Sequence, residues 1–233
     1  MKKNKKVGII VADLDEFAPL EEGIKKGGYT EKAFLKRRIL EFNTGGIEVC
    51  AILCGIGKVN AAAAAAHMVD IGCEIILNYG LSGGISGIRR GELCLCTEFL
   101  EHDFDLTTIG YKPCEKPGQH SYIYRSDKRL NGVIKSLLPD IKEGVAATGD
   151  RFVCDSGLRD FLKEEFDAMC CDMETAAIAY VCEYAGVPFA AVRRVSDDAG
   201  ESAAENYREM NTSRETVLSD FILECAEKAA KEL

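Results

Sequence analysis

Apolar residues along this chain fall mostly in short unbroken runs, separated by polar turns or by longer Ala-rich and charged stretches. Runs of that length, bounded by turn residues, mark strands buried on both faces. Strands are predicted over 6–11, 38–42, 47–53, 74–79, 92–100, 143–148 and 189–195, with residues 168–171 a further short run. Residues 38–42 and 47–53 read as a hairpin around Asn43-Thr44-Gly45-Gly46, a sequence suited to a tight turn. Helical patterns lie between the strands. One follows the turn at Ala12-Asp13-Leu14-Asp15 and reaches about Gly23. An Ala-rich helix follows Gly55-Ile56-Gly57-Lys58 and ends near Gly72. Ser126-Asp127 caps a helix to Leu138, and Asp155 or Ser156 starts another to Glu165. Residues 174–185 are apolar on most sides, which predicts a buried helix, and 205–233 reads as one amphipathic terminal helix. A glycine cluster at 80–84 is expected to close the strand that precedes it. Residues 101–121 form a long loop broken by Pro113 and Pro117; loops of that length inside a compact domain are usually functional.

The alternation of strands and helices predicts an α/β fold. It is a single domain over 1–233, with helices on both faces of a sheet that the hairpin makes mixed. Two stretches organise the chemistry. Cys170-Cys171-Asp172-Met173-Glu174-Thr175-Ala176-Ala177 places carboxylates at the start of the buried helix, where free backbone N–H groups and the helix dipole stabilise them. Arg193-Arg194-Val195-Ser196-Asp197-Asp198 ends the next apolar strand in another carboxylate. The two lie one helix–strand unit apart, which suits a site at the carboxyl edge of a parallel sheet.

Composition narrows the partners. The net charge of −9 argues against a nucleic-acid backbone or an anionic membrane. The basic start Lys2-Lys3-Asn4-Lys5-Lys6 is followed by too short an apolar run for a signal peptide, and reads as a solvated terminus. No stretch is long and apolar enough to span a membrane. The 11 cysteines sit mostly within apolar runs, with no CxxC pair and only 3 histidines beside them. They read as buried free thiols acting as small hydrophobes, in a reducing cytoplasmic compartment, with no metal site. Gly55-Ile56-Gly57-Lys58 lacks the third glycine of a dinucleotide fingerprint and the spacing of a phosphate loop. No cofactor is expected; such glycines let backbone approach a small ligand or turn tightly.

Met173-Glu174 with Ala176 and Ile178, then Val187-Pro188-Phe189, Arg193 and Ser196-Asp197, resemble the purine nucleoside phosphorylase/nucleosidase superfamily. The branch they most resemble is the bacterial 5′-methylthioadenosine/S-adenosylhomocysteine nucleosidases. The likeness extends in order through Val7-Gly8-Ile9-Ile10, Glu16, Gly55-Ile56-Gly57-Lys58-Val59, Asn78-Tyr79-Gly80, Gly83-Gly84, His102-Asp103 and Gly149-Asp150 with Phe152. The resemblance implies a twisted central sheet that closes partly into a barrel. It implies hydrolytic cleavage of the N-glycosidic bond of a 6-aminopurine nucleoside, with methylthioadenosine or S-adenosylhomocysteine as substrate and adenine as product. A homodimer whose long loop completes the partner's site is also implied.

Bond cleavage of this kind passes through an oxocarbenium-like sugar. It needs an acid for the leaving base, negative charge near the cation, and an activated water, as in inverting glycosidases. Asp197 suits the acid, because hydrophobic cover at a strand end should raise its pKa; by resemblance it protonates purine N7. Glu16, following the first strand at the same edge, suits the base. Glu174 suits the ribose hydroxyls and the cation. Arg193 is expected to orient the water or keep Glu16 ionised. Phe152 is expected to stack on the base, with the Val153 backbone reading its edge. Ile56, Leu81, Met173 and Tyr207 complete the expected substrate contacts.

The chain departs from the family at Asp13, where a Met near the sugar is usual, and at Leu81, where a Ser is usual. Two alternatives stay open at this point: a purine nucleoside phosphorylase, and a catalytically weak nucleoside-binding protein of the same fold.

Overall fold

The computed structural model describes residues 5–212 and 216–233; most of the basic start, residues 2–4, lies outside them. Ten strands form one mixed sheet among the described residues. In chain order they are β1 (Val7–Val11), β2 (Thr30–Phe34), β3 (Arg37–Thr44), β4 (Ile47–Leu53), β5 (Ile75–Gly84), β6 (Leu93–Glu101), β7 (Tyr124–Arg125), β8 (Lys142–Thr148), β9 (Ala168–Asp172) and β10 (Phe189–Asp197). The helices are α1 (Leu14–Ile24), α2 (Lys58–Asp70), α3 (Lys128–Leu137), α4 (Ser156–Phe166), α5 (Thr175–Ala185), α6 (Ala203–Thr212) and α7 (Val217–Glu232).

The sheet runs β10-β6-β8-β9-β5-β1-β4-β3-β2, and β10 also pairs with β5. That extra pairing closes β5, β10, β6, β8 and β9 into a ring, so half of the sheet is a barrel and half is open. The strand β5 makes this possible. Its first part pairs in parallel with β1, and its last residues, Gly83 and Gly84, pair antiparallel with β9. Thus β5 continues through the glycine cluster instead of closing before it. At Gly80 an added Cβ would lie against the Arg193 guanidinium and 2.9 Å from Glu16 Oε2. A residue with a side chain there would push both groups out of place.

Helices cover both faces. Val7, Ile9 and Val11 of β1 face a layer that includes Phe17 and Leu20 of α1 and Ile222 and Ala226 of α7. Ile10 faces the opposite layer, with Ala61 and Ala65 of α2 and Ile178 of α5. A strand buried on both faces must be apolar at successive positions, which is why β1 appears as an unbroken run. Helix starts follow their capping residues. Asp13, Asp127 and Asp155 each accept a hydrogen bond from an amide of the following turn.

Three elements differ from the sequence expectation. The strand β2 was not foreseen, because it is an edge strand with four of its five residues exposed and so carries no apolar signal. It joins β3 through Leu35 and Lys36, both at positive φ (46° and 62°), residues that do not announce such a turn. The strand β7 is only two residues long. The terminal region is two helices, α6 and α7, not one over 205–233; α6 packs against β10, and α7 against β5, α1 and α3.

Candidate active site

The carboxyl ends of β1, β5, β9 and β10 open onto a cavity of about 330 Å³. Glu16, Ile56, Leu81, Phe152, Val153, Met173, Glu174, Asp197 and Tyr207 all line it, although they come from segments spread over the chain. Arg193 does not; its side chain is 1% exposed and lies behind the wall. The wall also includes Asp13, Ser82, Arg151, Cys171, Asp172 and Ser196.

Asp197 ends β10 and is 2% exposed. Its Oδ2 accepts the Ser196 hydroxyl at 2.7 Å and its Oδ1 accepts the Ala199 amide at 2.9 Å. Burial nevertheless raises its pKa above the ordinary value, against the pull of those two bonds. Phe152 and Tyr207 meet edge-to-face near the same wall, centroids 5.5 Å apart.

Glu16 enters from the first turn of α1. The Leu81 amide donates to its Oε1 at 2.7 Å, so that N–H holds the carboxyl group. Burial pushes Glu16 up to about 8, opposed by the Leu81 N–H and Arg193 and reinforced by Glu174 and Asp13. Glu174 precedes α5, and its Oε1 accepts the Gly57 amide at 2.9 Å. Gly57, at φ 99°, aims that N–H across the cavity from the start of α2. Burial pushes Glu174 up to about 7, with Arg193 opposing and Asp172 adding to the rise.

Arg193 is held by residues that the sequence analysis did not assign to the site. Its Nε lies 3.0 Å from Asp172 Oδ2, and its Nη2 donates to Asn78 Oδ1 at 2.8 Å and Thr175 Oγ1 at 2.6 Å. Glu174 Oε2 is further away, at 3.7 Å. Asp172 Oδ1 accepts the Thr148 hydroxyl at 2.7 Å and the Glu174 and Thr175 amides at 3.1 Å each. Burial works to raise Asp172, but Arg193 and the bonds from Thr175 and Thr148 outweigh it and hold its pKa below the ordinary value. Asn78 and Thr148 did leave a signal: each is a polar residue inside or ending an apolar run, and buried polar side chains need partners.

Ten of the cysteines are buried, and Cys154 is exposed. Among the described residues one group has metal-ligand proximity, Cys94, Cys96 and Cys170, and none of the three lines the cavity. The long loop after β6 is tied down beside the cavity, where Asp103 accepts the Asp150 amide at 2.8 Å and pairs with Lys58 at 2.5 Å.

Chemically, the cavity offers two protonation-prone carboxyl groups on different walls, a third group on a strand end under apolar cover, and an aromatic platform. That is the equipment for proton transfer around a flat, partly apolar ligand. The aminodeoxyfutalosine nucleosidase of Campylobacter jejuni is 31% identical, over 96% of this chain and 99% of its own. A 5′-methylthioadenosine/S-adenosylhomocysteine nucleosidase from Exiguobacterium is 34% identical over 88% and 90% of the two chains. The crystal structure of the nucleosidase of that name from Helicobacter pylori, with butyl-thio-DADMe-Immucillin-A, superimposes with a TM-score of 0.91 at 26% identity, covering 95% of this chain and 97% of that one. The family model described as the phosphorylase superfamily matches residues 6–231, and the chain belongs to that superfamily.

Proposed function

We propose that this protein hydrolyses the N-glycosidic bond of a 6-aminopurine nucleoside, such as 5′-methylthioadenosine or S-adenosylhomocysteine, and releases adenine and a free sugar. Asp197 delivers its proton to the leaving base, which lies over Phe152 beside Val153. Glu174, held by the Gly57 amide, accepts the ribose hydroxyls and faces the developing cation. Glu16 takes the proton of the attacking water. Although burial favours its protonated form, a cationic sugar nearby favours the ionised carboxylate as the reaction proceeds. Arg193 acts through Asp172 and Glu174, fixing the sugar-side wall. Met173, Ile56, Leu81 and Tyr207 shape the remainder of the cavity.

The observation that carries the choice of water over phosphate is the charge of the wall. Asp13, Glu16, Asp172, Glu174 and Asp197 line it against a single basic residue, Arg151. A dianion needs several cationic donors aimed at one point, which this wall does not offer, and each wall acid that is ionised opposes a phosphate at ~4 Å by ~4 kcal/mol per unit charge at an effective dielectric of about 20. The expected products are adenine and a reducing sugar, at a rate unchanged by phosphate from zero to high millimolar. A sugar 1-phosphate in the phosphorus NMR spectrum would establish a phosphorylase instead; binding of nucleosides without turnover would leave a binding protein.

The reading extends to a cytoplasmic homodimer working in methionine salvage. The dimer is what the family resemblance implies; Ile56 and Val59, 50% and 81% exposed, stand near the cavity mouth. Among the described residues no helix is long and apolar enough to cross a membrane.

A further inference from the structure

Glu174 is held from two directions. Asp172 fixes its backbone through the Glu174 amide, and the Gly57 amide fixes its carboxyl group at Oε1. The second hold depends on where α2 begins, because Gly57 is the residue before that helix. Having no side chain, Gly57 cannot cap the helix itself. Asp150 does so from 92 residues away: its Oδ1 accepts the Lys58 amide at 2.8 Å.

That cap is one side of a closed ring. The Asp150 amide donates to Asp103 Oδ2 at 2.8 Å, Lys58 Nζ donates to Asp103 Oδ1 at 2.5 Å, and the Lys58 amide returns to Asp150. Glu101 Oε2 receives the same ammonium at 3.1 Å. The ring joins three separate segments: the start of α2, the loop after β6 and the turn after β8. It closes tightly on Gly57, where an added Cβ would come 3.0 Å from Asp150 Oδ1. Its two ends reach different walls of the cavity. Gly57 leads to Glu174, and Asp150 leads within two residues to Phe152. Lys58 is also out of place as a helix residue. It is the first residue of α2, where the helix dipole disfavours a cation. Its side chain, 18% exposed, folds back between Glu101 and Asp103 instead.

We infer that Lys58 and Asp103 are positioning residues for the hydrolysis: through Asp150 and Gly57 they set the direction of the Glu174 carboxyl group relative to Phe152. Neither lines the cavity. The inference rests on the nucleosidase reading and adds to it a link between the sugar wall and the base wall. Glu174 meets the ribose hydroxyls and the developing cation. An error in its direction therefore acts on the transition state more than on binding, and a misplacement of about 1 Å costs up to ~100-fold in rate. A ring that served stability alone would leave the discrimination of the folded enzyme intact.

The test uses the full chain and two substrates, 5′-methylthioadenosine and its 2′-deoxy analogue, with adenine release giving kcat and KM for each. Asp103→Ala opens the ring. Its kcat on the ribo compound should fall about 10- to 100-fold while KM changes by less than about threefold. Its ribo-to-deoxy ratio of kcat/KM should fall at least about fivefold, because a carboxyl group no longer aimed at the 2′-hydroxyl loses that hydrogen bond. Reading the ratio within one variant removes any general loss of active protein. Asp103→Asn keeps an acceptor for the Asp150 amide and drops the charge, which covers the case in which the Ala variant does not fold; its ratio should fall in the same direction by at least about threefold. Adding Glu174→Ala closes a cycle. If Asp103 acts through Glu174, the double variant stays within about threefold of Glu174→Ala alone. A ribo-to-deoxy ratio unchanged from wild type in the Asp103 variants, or losses that multiply in the double variant, would overturn the inference while leaving the hydrolase reading intact. No adenine from the wild type would overturn both.

Discussion

Two kinds of carboxyl group stand side by side on the cavity wall and behave in opposite ways. On the cavity wall, Glu16, Glu174 and Asp197 have their pKa values raised. On the same wall, backed by Arg193, Asp172 has its value lowered, although its side chain is completely buried. Burial is the largest influence in all four cases and acts in the same direction. The difference lies in the partners. Asp172 faces Arg193 at 3.0 Å and receives bonds from two hydroxyls and two amides. Glu16 receives one amide, and Glu174 one amide with Arg193 at 3.7 Å. A carboxylate whose lone pairs are saturated stays ionised in the interior; one left with open positions keeps a proton close at hand. The saturated set holds the frame, and the unsaturated set remains available for a ligand.

Three experiments bear on that contrast. The largest expected effect is on rate. Asp197→Asn keeps the shape of the wall and removes its acid, which should lower turnover by ~10²–10⁴-fold in a single-turnover assay. Its unfolding free energy should move by less than about 1 kcal/mol. Turnover within about threefold of wild type would remove Asp197 from the reaction.

Next comes the frame itself. Asp172→Ala leaves the Arg193 guanidinium buried without its main counter-charge, and breaking one side of such a pair costs ~3–5 kcal/mol. Urea unfolding should show the loss directly, and a change below about 1 kcal/mol would mean that Asp172 and Arg193 do not form the frame described here.

The smallest effect is a pH dependence of stability. Glu16 rises from an ordinary 4.5 to about 8 in the folded chain, so the folded state holds a proton there that the unfolded state has released. Its contribution is fully present below about pH 4.5 and is lost as pH climbs to about 8. Glu16→Gln should therefore gain stability relative to wild type across that window, by about 1–3 kcal/mol after allowance for water in the open cavity. Urea midpoints at pH 5, 7 and 9 measure it, and a gap that stays constant with pH would contradict the raised value.

Much of this arrangement is legible in the sequence. Glu16, Glu174 and Asp197 stand at strand ends and helix starts, where acids commonly serve as caps, and it is the family resemblance taken in order along the chain that singles them out. The hairpin of β3 and β4 and the caps Asp127 and Asp155 come from local turn and cap chemistry, which depends on neighbouring residues alone. Other features were hidden. An exposed edge strand such as β2 has no apolar periodicity to detect. The extension of β5 through Gly80 to Gly84 depends on what packs beside those glycines, namely Arg193, Glu16, Cys171 and Val195. The Leu81 amide donates to Glu16, 65 residues away in the chain, a contact that no local pattern announces.

The sequence by itself determined the order of elements, their two-sided burial and the carboxylates at the strand and helix ends, because apolar period, caps and turns act over a few residues. Tertiary structure alone decided that β10 closes onto β5, and which buried acid is ionised. Asn78, Thr148, Asp172, Thr175 and Arg193 come from separate stretches of chain, and only the closed barrel brings them within hydrogen-bonding distance. A carboxyl group's pKa follows the partners within a few ångströms of it, and those partners do not exist for the extended chain.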